Sequence, residues 1–313
     1  MRDSVTRRTT RWLHHGSWVA PTLALLLMPV RASAQELEPG AYWPIPTGLN
    51  FVTVVNNFNW GDLAFDPSVP VSEGNATIDT AAFAFTRAFN LAGRSANAGV
   101  TVPVVGGHVE GRYLGEHVEV GRFGLGDPRL RLAMNLYGAP AMTPAEYASY
   151  RQGTILGLSV IVAPPLGQYD STKLINLGTN RWSFRPELGV SRTNGRWVLE
   201  GMAGVWLFTD NTDFVGGRTR TQDPIAATQV HLTFKFRRAT WLAADANYFT
   251  GGRTSVGGIE NLDLQRNSRI GSTFSTTVGR GQAIRIAVSR GAYTTIGADF
   301  TSIAASYSYA WAQ

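Results

Sequence analysis

The chain of 313 residues contains no cysteine and only two lysines, Lys173 and Lys235. Without cysteine there is no disulfide scaffold, no thiolate nucleophile and no Cys-ligated zinc or iron–sulfur centre. Neither lysine follows a GxxxxG run, so there is no P-loop, and neither a GxSxG elbow nor an HExxH zinc motif occurs. Charge is scarce: Asp, Glu, Lys and Arg make up 16% of the chain, against about 25% in ordinary soluble domains. Long apolar runs are missing too. The longest, Trp18 to Val30 (WVAPTLALLLMPV), falls short of the roughly 20 residues that a membrane-spanning helix needs. What the chain does have is glycine (34), aromatic residues (11%) and a mean hydropathy of −0.07. That balance suits a β-rich chain with one polar and one apolar face.

The apolar run has another meaning. Arg2, Arg7, Arg8 and Arg11 precede it, and Ala32-Ser33-Ala34 follows it as an A-x-A cleavage site. Residues 1–34 therefore read as a cleaved secretory signal. This leader holds five of the 28 basic residues and one of the 22 acidic ones, so the rest of the chain is nearly balanced in charge. The basic balance is largely a targeting feature, and nucleic acid is not an expected partner. The expected organisation is a signal peptide (1–34), a Pro-rich lead (35–48) and a single domain (49–313).

In that domain apolar and polar residues alternate. Leu130, Leu132, Met134 and Leu136 alternate with Arg129, Arg131, Ala133 and Asn135; Val230, Leu232, Phe234 and Phe236 alternate with His231, Thr233, Lys235 and Arg237. Ile303, Ala305, Tyr307, Tyr309 and Trp311 share one face near the C-terminus. A period of two at this length predicts strands with one apolar face. About twelve follow, near 49–60, 77–89, 96–105, 125–137, 153–163, 181–191, 196–208, 225–238, 240–250, 268–279, 282–290 and 301–311.

Their connections alternate in length. Those at 61–76, 106–124, 164–180, 209–224, 251–267 and 291–300 are long; those at 90–95, 192–195, 239 and 280–281 are short. An even number of strands, with short periplasmic turns and long outer loops, is the pattern of an outer-membrane barrel. The predicted fold class is therefore all-β, a transmembrane antiparallel β-barrel of about 12 strands in the cell outer membrane. One connection, 138–152, is long where a turn is expected. Its Thr143-Pro144-Ala145-Glu146 run is a capping box with proline at the first helical position, which predicts a short periplasmic helix. Trp60, Phe89, Tyr137, Trp182, Phe208, Trp241, Phe249 and Trp311 fall near strand ends, where interfacial aromatic girdles are found.

Several blocks carry a family resemblance: PIPTGLNF at 44–51, GRSANAGVTVPVVGG at 93–107, GLGDPRLRLAMNLYGAPAMTPAEYASYRQGT at 124–154 and PLGQYDSTKLINLGTNRWSFRPELGVS at 165–191. FTDNTDFVGG at 208–217, QDP at 222–224, YFTGGRT at 248–254 and NSRIG at 267–271 extend it. With these the chain resembles the putative MetA-pathway of phenol degradation family. The resemblance implies an outer-membrane barrel that admits aromatic or other poorly soluble compounds. The chain departs from the usual aromatic last residue, because Ala312 and Gln313 follow Trp311.

No catalytic, cofactor-binding or metal site is expected, and the protein is not expected to be an enzyme. Beyond the leader there are only three histidines, His108, His117 and His231. The Asp-Asn-Thr-Asp run at 210–213 lacks the ligand spacing of a calcium loop. Function is expected on the polar strand faces. Charge toward lipid costs about 2–4 kcal/mol for Arg at the midplane, so Arg129, Arg131, Arg185, Glu187, His231, Lys235, Arg237, Asp245 and Arg285 are candidates to line the lumen. Tyr42 and Trp43, in the lead with Pro39, Pro44 and Pro46, are candidates to plug it, since proline keeps this segment out of the wall. The expected activity is a channel or facilitator for small compounds, aromatic, hydrophobic or anionic. The alternative is a closed structural or surface-binding barrel. The expected partners are outer-membrane lipid, the barrel-assembly machinery during insertion and a small solute.

Overall fold

A computed structural model describes residues 37–64, 71–113, 115–173, 175–237 and 239–312. The predicted signal peptide lies outside the described residues. Twelve antiparallel strands close into one barrel. In chain order the wall is β1 (Leu49–Ala64), β2 (Val71–Leu91), β3 (Arg94–Tyr113), β4 (Glu116–Leu125) continued by β5 (Arg129–Tyr137), and β6 (Thr154–Ala163). It goes on with β7 (Ser183–Asn194), β8 (Trp197–Phe208), β11 (Ile225–Arg237), β12 (Thr240–Gly251), β15 (Gln265–Gly279), β16 (Gln282–Tyr293) and β17 (Gly297–Ala312). The intervening β9 (Asn211–Phe214), β10 (Arg218–Gln222), β13 (Thr254–Val256) and β14 (Ile259–Glu260) form a small separate sheet in the long loops. Closure is by β1 and β17, whose register runs from Leu49 opposite Ala312 to Ala64 opposite Gly297. A closed barrel leaves no strand edge in lipid, where an unpaired backbone group costs several kcal/mol.

Alternation fixes which face is outside. Leu188, Val190, Leu199, Val230, Leu232, Ile286 and Val288 are exposed on the outer face. Trp60, Tyr137, Trp182, Trp197, Tyr248 and Tyr309 stand exposed toward its two rims. Phe208, Trp241 and Phe249 do not belong to this girdle. They occupy inward positions, with Trp241 4% and Phe249 1% exposed. Phe249 packs with Ile161, Trp206, Ile225 and Ala227 inside the barrel.

The fourth strand departs most from the sequence reading. The stretch at 125–137 is not continuous, and 106–124 is not a loop. The β3 strand runs on to Tyr113 and turns into β4, which pairs with Val104–Tyr113, whereas β5 pairs with Ala96–Thr101. Gly126, Asp127 and Pro128 separate the two pieces, and Pro128 has no N–H to give a ladder. Among the described residues, β4 has a strand partner on one side only. With β1, β2 and β3, of 16, 21 and 20 residues, it forms a ridge above the rest of the wall. The connection at 291–300 is also shorter than expected, because β16 and β17 extend to Tyr293 and from Gly297.

At the opposite, short-turn end lies α1 (Pro144–Ser149). Its capping box is complete: Thr143 Oγ1 accepts from the Glu146 backbone N–H (3.3 Å), and Glu146 Oε2 accepts from the Thr143 N–H (2.7 Å). Such a cap is worth about 1 kcal/mol.

Candidate functional site

The lead enters the barrel. From β1 it runs back past the short-turn end, where Thr47 N–H donates to Met142 O (2.7 Å) and Ile45 N–H to Ser95 Oγ (3.3 Å). It then climbs along β6, β7, β8 and β11. Gly40 N–H donates to Glu200 Oε2 (3.0 Å) and Glu38 N–H to Gln229 Oε1 (3.1 Å). Tyr42 is 3% exposed. Its ring lies against Gly157 of β6 and Gly189 of β7, which face each other in the ladder, and a Cβ on either would overlap the ring. Two glycines are what lets an aromatic ring approach the wall this closely. The Tyr42 hydroxyl exchanges a hydrogen bond with Ser159 Oγ (3.0 Å) and donates to Glu187 Oε1 (3.0 Å). Burial and the Glu187 carboxylate raise its pKa well above the ordinary phenol value, which keeps it a donor.

Beneath the lead lies a buried polar network. Arg185 donates to Glu38 Oε1 (3.2 Å) and pairs with Glu187 on its own strand. Burial would raise the Glu38 carboxyl, but Arg185, Arg131 and Arg129 outweigh it and hold the carboxyl below its ordinary value. His231 Nδ1 meets Asp245 Oδ1 (2.7 Å), and Thr273 Oγ1 donates to Asp245 Oδ2 (2.7 Å). His231 is 0% exposed, so the His–Asp pair is out of reach of any solute. Arg131 donates to Asn97 Oδ1 (3.3 Å) and to Ala41 O (3.4 Å). Lys235 Nζ lies 4.0 Å from the centre of the Trp43 ring, which meets Trp241 edge-on at 5.5 Å. Arg285 lies over Trp241 at 5.2 Å.

Of the nine lumen candidates, Arg185, Glu187, His231 and Asp245 lie buried in this network, while Arg129, Arg131 and Lys235 are half-buried beside it. Arg285 faces inward but is exposed. Arg237 is a correction. A register shift follows Lys235, so Arg237 pairs with Thr240 at the hairpin and stands exposed there instead of lining the lumen.

The network covers only part of the wall. Inward positions on β7, β8, β11 and β12 are buried at nearly every step. Across the lumen, Ala283, Ala287 and Ser289 of β16, Ser302, Ala304, Ser306, Ser308 and Ala310 of β17, and Thr53, Val55 and Asn57 of β1 are only half-buried. Small side chains and partial exposure describe a wall that the lead does not fill.

The long-loop end is narrowed differently. Gly167 N–H and Thr179 N–H donate to the two oxygens of Asp127, each at 2.9 Å, and pinch the loop at 164–182. Its tip carries Ile175 into a cluster with Leu63, Ala76, Val109, Ala298 and Phe300, inward residues of β1, β2, β3 and β17. Arg122 Nε donates to Ile175 O (2.9 Å). Asn211, from the Asp-Asn-Thr-Asp run at 210–213, serves structure here: its Nδ2 donates to Tyr169 Oη (2.9 Å) and Thr179 O (3.2 Å). Sequence reading missed Glu38, Asp127, Ile175 and Glu200. For Gly157 and Gly189 a signal existed, since glycine inside a strand marks close approach.

A tyrosine-bearing lead inside a twelve-strand barrel can be compared with known proteins. The family described as "Putative MetA-pathway of phenol degradation" matches residues 45–307. The chain belongs to this family. Among solved structures, it is similar to an outer-membrane channel from Pseudomonas putida F1, at 20% identity and a TM-score of 0.74, over 88% of this chain and 100% of that one. It is also similar to the transport unit of the autotransporter AIDA-I from Escherichia coli, at 6% identity and a TM-score of 0.50, over 90% and 94% of the two chains. At such identities the likeness is one of fold, that of an outer-membrane barrel. No curated protein matches the chain.

Proposed function

We propose that this member of the family is an outer-membrane channel that lets small anionic compounds, aromatic ones included, pass along the uncovered wall of its lumen. The observation that carries this reading is the asymmetry of the interior. The buried network fills one side, while β16, β17 and β1 present Ala, Ser and Thr with partial exposure. Of the eight lumen candidates that face inward, the ones not fully buried are cations, Arg129, Arg131, Lys235 and Arg285. A narrow, low-dielectric path lined by one sign of charge favours the opposite ion. The leader at 1–34 would be cleaved on export, and the lead would act as a partial plug. One observation favours the closed structural barrel instead: the lead at one end and the Ile175 cluster at the other both narrow the lumen.

Purified, refolded protein in a planar bilayer under a potassium chloride gradient separates the two. A channel of this kind gives discrete steps and a reversal potential on the chloride side. Membranes that hold inserted protein yet stay silent would favour the closed barrel.

A further inference from the structure

Arg285 is the lumen cation whose setting the network leaves unexplained. It projects from β16 between Ser275 of β15 and Ser306 of β17, with its guanidinium over the Trp241 ring and open to the lumen. Among the described residues it has neither a hydrogen bond nor an ion pair. The carboxylates that act on it through space are Asp245 of β12, Glu200 of β8 and Glu38 of the lead. Each is engaged elsewhere: Asp245 with His231 and Thr273, Glu200 with Gly40, Glu38 with Arg185. Other inward arginines have hydrogen-bond partners at their terminal nitrogens. Arg185 has two carboxylates, Arg131 has Asn97 and Ala41, and Arg269 donates to Ser289 (3.0 Å) and Ser302 (2.9 Å).

A guanidinium stacked on an indole keeps its N–H fork free in the plane of the stack, and that fork matches a carboxylate bidentately. Beside it stand two indoles in edge-on contact, Trp241 and Trp43, with Lys235 over the far one. We propose that Arg285, held over the buried Trp241 and beside the half-buried Trp43, forms a binding site for an aromatic carboxylate, the carboxylate on the guanidinium and the ring against the Trp43 indole. The site rests on the channel reading for its purpose, because a solute on the uncovered wall passes Arg285. Its occupancy does not depend on conduction. A neutral phenol lacks the group that Arg285 takes, and an aliphatic carboxylate lacks the ring.

The test is a titration of indole fluorescence in the detergent-refolded full chain with benzoate, hexanoate and phenol. Benzoate should quench saturably and bind more tightly than the other two. R285Q should weaken benzoate by roughly tenfold or more, the loss of one charge-assisted pair. R285K keeps the charge without the fork and should fall between. Unchanged benzoate binding in R285Q overturns the site, and hexanoate binding as tightly as benzoate overturns its aromatic half. Should R285Q fail to refold, R285K decides, with unchanged binding again the overturning result. Because the readout needs no current, a silent bilayer with intact Arg285-dependent quenching sinks the channel and leaves the site standing. Conduction without Arg285-dependent quenching does the reverse.

Discussion

The two sides of the barrel interior follow the same alternation and end in opposite states. On β7 and β8 the inward residues are Arg185, Glu187, Ser191, Glu200 and Trp206, each at most 4% exposed. On β17 they are Ser302, Ala304, Ser306, Ser308 and Ala310, half-buried throughout. The difference lies in what stands opposite. Large polar side chains need partners once they leave water, since an unmade buried hydrogen bond costs about 1–3 kcal/mol. The lead supplies those partners through Gly40, Glu38 and Tyr42. Small side chains make no such demand and can border water. One side of the wall is thus built to hold a segment, and the other to be left alone.

Removing the lead is the strongest way to break this contrast. Deletion of residues 37–47 should uncover the polar side and raise single-channel conductance several-fold in protein that still inserts. An unchanged step size would mean that the lead does not narrow the route. A smaller effect is expected at the other end. Asp127→Ala removes the acceptor for both Gly167 and Thr179, and Ile175→Ser takes an apolar side chain out of its cluster. Either should lengthen the open periods in bilayer recordings, and neither should change the ratio of anion to cation current. A shift in that ratio would place the selective element in the loop and not in the lumen.

Matched substitutions sharpen the comparison further. Ser191→Phe, on the filled side, should overpack the buried interior beside Gln152 and destabilise the barrel by about 1–3 kcal/mol in a urea refolding titration. Ser306→Phe, on the open side, should cost much less stability and reduce the current instead. Similar stability losses in the two would show that the open side is filled as well.

How much of this was legible in the residues follows from what alternation encodes. It places a side chain inside or outside, so the strands, the closed barrel and the inward set including Arg185, His231 and Asp245 could be read directly. It marks a break only where its phase is followed. The outward apolar residues are odd-numbered up to Phe123 and Leu125 and even-numbered from Leu130 and Leu132, a slip of one at Gly126-Asp127-Pro128 that reading 125–137 as one strand passed over. Alternation does not say which inward positions will meet the lead. Nothing in the Glu36-to-Gly40 sequence (ELEPG) marks Glu38 as the partner of Arg185, some 150 residues away, because that contact exists only once the barrel has closed. Aromatic residues near strand ends misled for the same reason. Trp241 and Trp311 have similar sequence settings, yet the inward position of Trp241 puts it against Trp43 and Arg285.

The smallest expected effect concerns the charge that ties the lead to the filled side. Glu38 sits within reach of Arg185, and with Arg131 and Arg129 that guanidinium holds its carboxyl below the ordinary value despite burial. A carboxyl whose pKa is lower in the folded state contributes stability above its unfolded pKa and loses it as pH falls through the folded one. The hold on the lead should therefore be full at neutral pH and weaken only in acid, below the ordinary Glu value of about 4.3. Lowering the pH from 7 to 3 should bring a modest rise in conductance or in its flicker, as the lead loosens. Glu38→Gln keeps the shape, removes the charge and should flatten that acid response, while at neutral pH its conductance sits slightly above that of the unaltered chain. The variant and the unaltered chain responding identically to acid would show that Glu38 is not the group behind the response. The contrast between the two sides would then rest on packing around Tyr42 and not on charge at Glu38.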